Sequence, residues 1–278
     1  LETPGKTAAL VTPDRNLARR VSAELKRWNI EIDDSAGKPM GQTGPGSFLR
    51  LVANAIDNKL APIHLLGLLK HPLTGMGYPP NTLLSLVTQF ELTLLRGPRP
   101  DEGIEGLRQA LPKKNPNLDA FITKIADILE PLLTLPSNND VGLADIMHHL
   151  VRCTETMANS NTQLGQELLW IDEAGEAVAE FVAEILEWGN AIQIKPGHLT
   201  ALLETLMSGR VVRTRQAGHP RLAIWGTLEG RLQTRDLLIL GGLNEGTWPP
   251  QTIANPWMSR PMMFQFGLPL PERRVGLS

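Results

Sequence analysis

A single cysteine, Cys153, leaves no internal disulfide to form and suits a reducing compartment. No apolar run approaches the ~18 residues of a membrane span. The opening Leu1 to Thr7 is polar and broken by Gly and Pro, unlike a signal peptide. Charge of one sign is also missing: the net value is −2, so any contact with a polyanion must come from local clustering. There is no internal repeat or low-complexity tract. What is present is 278 residues with 42% hydrophobic and 20% charged content, enough for one large or two modest domains. A start at Leu1 without Met, with a stop at Gly276-Leu277-Ser278, reads as an excised piece of a longer protein.

Ala8 to Val11 is a brief apolar strand candidate. Thr12-Pro13 offers an N-cap followed by proline, and Leu17, Val21, Leu25 and Trp28 recur at spacings of four, four and three, the stripe of an amphipathic helix. Ile30 to Ile32 then reads as a second strand and Asp33-Asp34 as a turn, which makes one βαβ unit. From Phe48 to Met207 the pattern is helical. Helices are expected at Ile63 to Leu69, Leu83 to Leu95, Leu118 to Leu135 with a break at Pro131, Leu143 to Met157, Gly175 to Trp188 and Leu199 to Met207, the last closed by Gly209.

Strand character returns in RVVRTRQAGHPRLAIWGTLEGRLQTRDLLILGGLNEGTWPP, Arg210 to Pro250. Leu222 to Trp225 and Leu237 to Gly242 are its strands, with one helical turn between them around Leu228 to Gln233. The second run is apolar without alternation, the pattern of a strand buried on both faces of a parallel sheet. Gly241-Gly242-Leu243-Asn244-Glu245-Gly246 follows its carboxyl end, where open α/β sheets bind ligands. Up to Arg235 the stretch carries Arg210, Arg213, Arg215, Arg221, Arg231 and Arg235 against one acid, Glu229, an edge suited to a polyanion. The expected architecture is therefore a discontinuous α/β domain, residues 1–46 with 208–278, carrying an all-helical insertion at 47–207.

The wording IWGTLEGRLQTRDLLILGGLNEGTWPP, followed by NPWMSRPMMFQFGLPLPERRVGLS, resembles the AddB subunit of bacterial double-strand-break repair helicase-nucleases. Its order of elements resembles the fifth motif of UvrD-like superfamily 1 helicases, and LVTPDRNLARRVSAEL resembles the fourth. The resemblance implies a second RecA-like domain of the P-loop NTPase type with a parallel sheet and a large all-α insertion. It also implies an AddA-type helicase-nuclease partner, DNA as ligand, no membrane, and a bacterial cytoplasmic, nucleoid-associated place. ATP and Mg²⁺ belong to the parent complex; no cofactor is expected in this segment. Pro13 stands where the family's phosphate-reaching arginine should be, Arg19 falls on a more distal arginine, and Arg15 is two residues displaced, a turn of roughly 200° on a helix. The fifth motif keeps Gly226-Thr227-Leu228-Glu229 without its lysine. Both departures imply a helicase fold that does not hydrolyse ATP with these residues. Arg15, Gly226, Glu229 and Glu245 are the nucleotide-proximal candidates. Arg15, Arg19, Arg213, Arg215, Thr227, Arg231, Asn244 and Trp248 are the DNA-binding candidates.

Other patterns have ordinary explanations. Gly5-Lys6-Thr7 is no phosphate loop, since a strand follows it and none precedes it. His149 and Cys153 share a helix face, but two ligands do not make a metal site. Glu173, Glu176, Glu180, Glu184 and Glu187 read as a solvated helix face. Trp225, Trp248 and Trp257 are the tryptophans weighed for base stacking, and Trp225, in a strand, is assigned to the core. Two further readings stay open: the C-terminal half of an active superfamily 1 ATP-dependent helicase, and a helical protein-interaction module with no DNA role.

Overall fold

The structure is a computed structural model, and it describes residues 3–112, 115–136, 139–213, 218–242, 244, 246–247, 251–252 and 255–273. Strand β1 (Ala8–Val11) leads through Thr12 and Pro13 into helix α1 (Arg15–Arg27). Asp14, not Thr12, is the N-cap: Oδ1 accepts from the backbone N–H of Asn16 (2.8 Å) and Leu17 (3.1 Å). The Thr12 hydroxyl instead accepts the Asp14 N–H at 3.0 Å, so the capping sequence is shifted by two residues. The helix closes in a Schellman arrangement, with Asn29 at φ 55°, Asn29 N–H on Lys26 C=O and Ile30 N–H on Leu25 C=O. Trp28 is therefore the C-cap and is 78% exposed, whereas the apolar spacing had placed it inward. The next strand, β2, is Asp33–Asp34 itself and not Ile30 to Ile32.

The chain then forms a helical unit, residues 38–214, while 1–37 and 215–278 form a second compact unit. The sequence reading had set these boundaries at 46/47 and 207/208. In the helical unit, β3 (Lys38–Pro39) precedes α2 (Gly44–Asp57), α3 (Pro62–Leu69), α4 (Pro80–Phe90) and a π-helical turn at Glu91–Leu95. α5 (Gly103–Gln109), α6 (Pro116–Leu133), β4 (Val141–Gly142), α7 (Leu143–Ala158), α8 (Gly165–Leu169) and α9 (Asp172–Trp188) follow. β5 (Gln193–Ile194), α10 (Leu199–Met207) and β6 (Val211–Val212) complete it. Proline opens α3, α4 and α6, where its missing N–H costs nothing because first-turn amides have no helical partner. Pro131 sits within α6 without breaking it: it lies in the last turn, where one backbone bond is lost and nothing further must be continued. Phe48, Phe90, Phe121 and Phe181 are fully buried at the centre of this unit.

One carboxylate in the helical unit is placed against its own charge. Asp57, at the end of α2, accepts the Thr200 N–H at 2.7 Å and so caps α10 from outside. Burial raises its pKa, outweighing the bonding from Thr200 and the nearby His198. A folded-state pKa raised above the unfolded value means that stability is fully present below pH ~3.8 and is lost as pH climbs through the folded value. Asp57→Asn keeps the acceptor and drops the charge. Urea unfolding should show the variant at least as stable as the parent at pH 7, with the gap closing toward pH ~4; a variant weaker at pH 7 and equal at pH 4 would contradict this.

In the second unit, β7 (Leu222–Trp225), α11 (Glu229–Leu232), β8 (Leu237–Leu240) and α12 (Arg260–Gln265) follow. The sheet is parallel and four-stranded, in the order β2-β7-β1-β8, so the fold is α/β. Both ends of the chain contribute: Leu10 pairs with Ile224 on one side and with Ile239 on the other. Alternate β1 residues point to opposite faces. Leu10 and Ile224 pack with Ala18 of α1, while Ala9, Val11, Ala223 and Trp225 form the other face, against which Gly230 of α11 lies. β8 corrects the reading of a doubly buried strand. It is an edge strand, and its four aliphatic side chains are 42–55% exposed. A run without alternation shows that both faces are apolar but not how many neighbours the strand has.

Candidate crevice at the carboxyl end of the sheet

The crossovers decide where a ligand would sit. From β1 the chain passes over β7 to reach β2, carrying α1; from β7 it passes over β1 to reach β8, carrying α11. The two helices lie on opposite faces, so β1 and β7 flank a topological switch point, the position at which open α/β sheets bind ligands in a crevice. Thr12, Pro13 and Asp14 border it from β1, and Gly226 and Thr227 from β7. Asp34-Ser35-Ala36 lies beyond on one side and Gly241-Gly242 on the other. The rim is tied by bonds from Thr12 N–H to Trp225 C=O (3.0 Å), Ser35 N–H to Ile224 C=O (3.0 Å), Gly226 N–H to Ser35 Oγ (3.4 Å) and Gly241 N–H to Val11 C=O (2.9 Å). Gly242 turns the chain away at φ 74°, a conformation that suits glycine, close against Thr12 Oγ1.

The electrostatics of the rim oppose an anion. A helix N-terminus at a switch point normally offers free amides to phosphate, but here the Asp14 carboxylate occupies those of Asn16 and Leu17. Arg15 projects one guanidinium nitrogen, Nη2, to both oxygens of Asp34 at 2.6 Å, and Asp34 Oδ1 also accepts the Ala36 N–H. Glu229 lies against Gly226. The described rim thus carries three carboxylates, Asp14, Asp34 and Glu229, and the Arg15 guanidinium there is already paired with Asp34. Sequence reasoning picked out Arg15, Gly226 and Glu229, read Asp34 as part of a turn, and missed Asp14 and Ser35; the signal available was the Asp after Pro13, a capping residue.

The other candidates scatter. Arg19 is exposed on α1, with the Asn16 amide oxygen at 3.4 Å. Thr227 is half-buried at the end of β7; Arg231 is exposed on α11; Asn244 is exposed, and its carbonyl accepts the Thr247 N–H. Arg213 is exposed in the helical unit. Arg215, Glu245 and Trp248 lie outside the described residues. Of the remaining arginines of the basic stretch, Arg210 pairs with Glu184 and lies over Phe181, Arg235 lies over the buried Trp225 ring, and Arg221 donates to the Thr3 carbonyl. The basic edge read from sequence is thus divided, and among the described residues Arg213 and Arg231 are the members that face solvent without a side-chain partner.

Gly5-Lys6-Thr7 lies at the amino end of β1, away from the crevice. Thr7 N–H and Oγ1 both donate to Asp236 Oδ2 at 2.8 Å, which joins the starts of β1 and β8 and holds the Asp236 carboxyl below the usual range. In the helical unit, burial pushes the Cys153 thiol up to about 12, leaving it inert, and His148 is exposed. Among the described residues no three His, Cys, Asp or Glu side chains come together to hold a metal. Ser47 Oγ is 3.1 Å from His71 Nε2, a pair absent from the sequence reading. His71 Nδ1 accepts the Leu73 N–H, so Nε2 carries the proton and donates to the serine. This imidazole is not a base for Ser47.

No protein-family model matches the chain, and no curated protein is significantly similar to it. Among the described residues no helix is long and apolar enough to cross a membrane.

Proposed function

We propose that this chain is the helicase-like, non-catalytic region of an AddB-type subunit, a second RecA-like domain with a helical insertion that guides a DNA strand and meets an AddA-type partner in double-strand-break repair. One observation supports it above the rest. The two ends of the chain form a single parallel sheet with a switch-point crevice, as a RecA-like domain requires, and that crevice presents carboxylates and a neutralised arginine where a nucleotide's phosphates would need free cations and amides. The same observation weighs against an active superfamily 1 half-site, because phosphoryl transfer depends on positioned positive charge. The resemblance of Ile224 to Pro250 and of Leu10 to Leu25 to the AddB and UvrD-like motifs supplies the polynucleotide, and exposed Arg213 and Arg231 suit its backbone.

Two measurements on the 278-residue chain test this reading. A labelled single-stranded oligonucleotide should bind, with affinity falling steeply between about 50 and 200 mM salt. Mg²⁺-ATP should give no heat of binding in calorimetry. Binding that ignores salt removes the phosphate contacts, and stoichiometric ATP binding favours the active half-helicase instead.

A further inference from the structure

β8 has no neighbour on its outer side among the described residues, and it lacks the devices that keep such an edge from pairing. Leu237, Leu238, Ile239 and Leu240 are 42–55% exposed, and no charge or proline interrupts them. Register with β1 puts Leu237 and Ile239 on the α1 face and Leu238 and Leu240 on the α11 face, so a strand that covers this edge must be apolar on both faces. The amides of Leu237 and Gly241 donate inward, to the carbonyls of Thr7 and Val11. Alternation therefore turns the N–H and C=O of Leu238 and Leu240 toward the open edge.

The strand that matches these groups is β8 of a second copy. In an antiparallel pair centred on Ile239, Leu238 faces Leu240 of the second copy as a hydrogen-bonded pair, and the two Ile239 side chains meet as the closer pair without hydrogen bonds. Leu237 then faces Gly241, which has no side chain to compete, and Asp236 faces Gly242, so no like charges meet. A centre at Leu238 satisfies the same alternation but sets the Asp236 carboxylate, already bonded to Thr7, against Leu240. We propose that two copies of this chain join through β8 about a two-fold axis at Ile239, so that their four-stranded sheets become one continuous sheet. The pairing does not depend on a DNA ligand.

Sedimentation velocity of the 278-residue chain over a concentration series tests this. The parent should pass from monomer to dimer and stop there, because a two-fold contact closes on itself. Ile239→Lys sets two ammonium groups opposite one another and should weaken the dimer by about 30-fold or more. Oxidation reads the register. Ile239→Cys should give a covalent dimer on a non-reducing gel, since the two Cα atoms of a closer pair are about 4.5 Å apart, within disulfide reach. Leu237→Cys should not, because it lies about 13 Å along the strand from its own counterpart. Chance collision would not separate the two variants, as residues 237 and 239 are 55% and 51% exposed, and Cys153 is buried. Circular dichroism checks the fold of each variant. A parent that stays monomeric throughout leaves the edge to a different protein and overturns the pairing of copies. An Ile239→Lys dimer as tight as the parent's, or equal crosslinking of the two cysteine variants, also overturns it.

Discussion

Val11→Asp should abolish the α/β unit, at a loss of at least about 4 kcal/mol. Val11 is 3% exposed, flanked in register by Trp225 and Leu240, and a Cβ on Gly230 would stand only 2.7 Å from its Cγ1. A carboxylate at this position would be enclosed with Ala9, Ala223 and Trp225 and crowded by α11, away from water. Val11→Asn, of similar size but uncharged, separates the two costs; its loss should be smaller, about 1–3 kcal/mol. Urea unfolding followed by tryptophan emission reads the change, because Trp225 is buried in the same face. A Val11→Asp chain within about 0.5 kcal/mol of the parent, the range of ordinary surface changes, would mean that residue 11 is not enclosed by strands from the other end of the chain.

The second large effect belongs to the helical unit. Phe121 of α6 is fully buried, edge-on to Phe90 at 5.5 Å and tilted to Tyr78 at 6.2 Å. Removing the ring leaves a cavity that two aromatic neighbours on other segments cannot both fill. Phe121→Ala should therefore lower stability by about 3–5 kcal/mol. Phe121→Leu refills part of the volume and should lose less. Equal stability of Phe121→Ala and parent in denaturant titration would remove this residue from the centre of the core.

Much of this was legible in the sequence. The apolar runs at 8–11, 222–225 and 237–240 are all strands, and the helices between them keep the predicted faces, with Val178, Phe181, Val182 and Ile185 buried in α9. The misreadings share a physical cause, since each depends on a neighbour that the local pattern cannot name. Leu237 to Leu240 is apolar on both faces, but sheet order alone decides that it is an edge. Trp28 matches the helical spacing, but the left-handed Asn29 ends the helix before that side of the last turn is covered. Asp33-Asp34 is turn-like by residue type, yet pairing with Ala223 and Ile224 makes it a strand.

The crevice was only half legible, for the same reason. The displacement of Arg15 from the family's arginine position could be counted along the helix, but its partner could not: Asp34 lies 19 residues away and arrives only when β2 joins β7. The grouping of arginines was a property of the sequence, and the fold divides those in the described residues among different surroundings. Arg210 goes to Glu184 and Phe181, Arg235 to Trp225 and Arg221 to the Thr3 carbonyl, while Arg213 and Arg231 face solvent.

The account depends on residues 8–11 and 237–240 being neighbours in one sheet, since the crevice and the position of α1 both follow from it. A disulfide test addresses this directly. Ala8 and Leu237 are registered partners on adjacent strands, within the Cα separation a disulfide spans, and buried Cys153 does not compete for oxidation. Mild oxidation of Ala8→Cys/Leu237→Cys should close a bridge visible as a mobility shift on a non-reducing gel. Ala8→Cys/Leu240→Cys, three residues out of register and so displaced by roughly 10 Å, should not. Absence of the bridge in the registered pair, or equal bridging in both, would contradict the sheet from which the proposed function is argued.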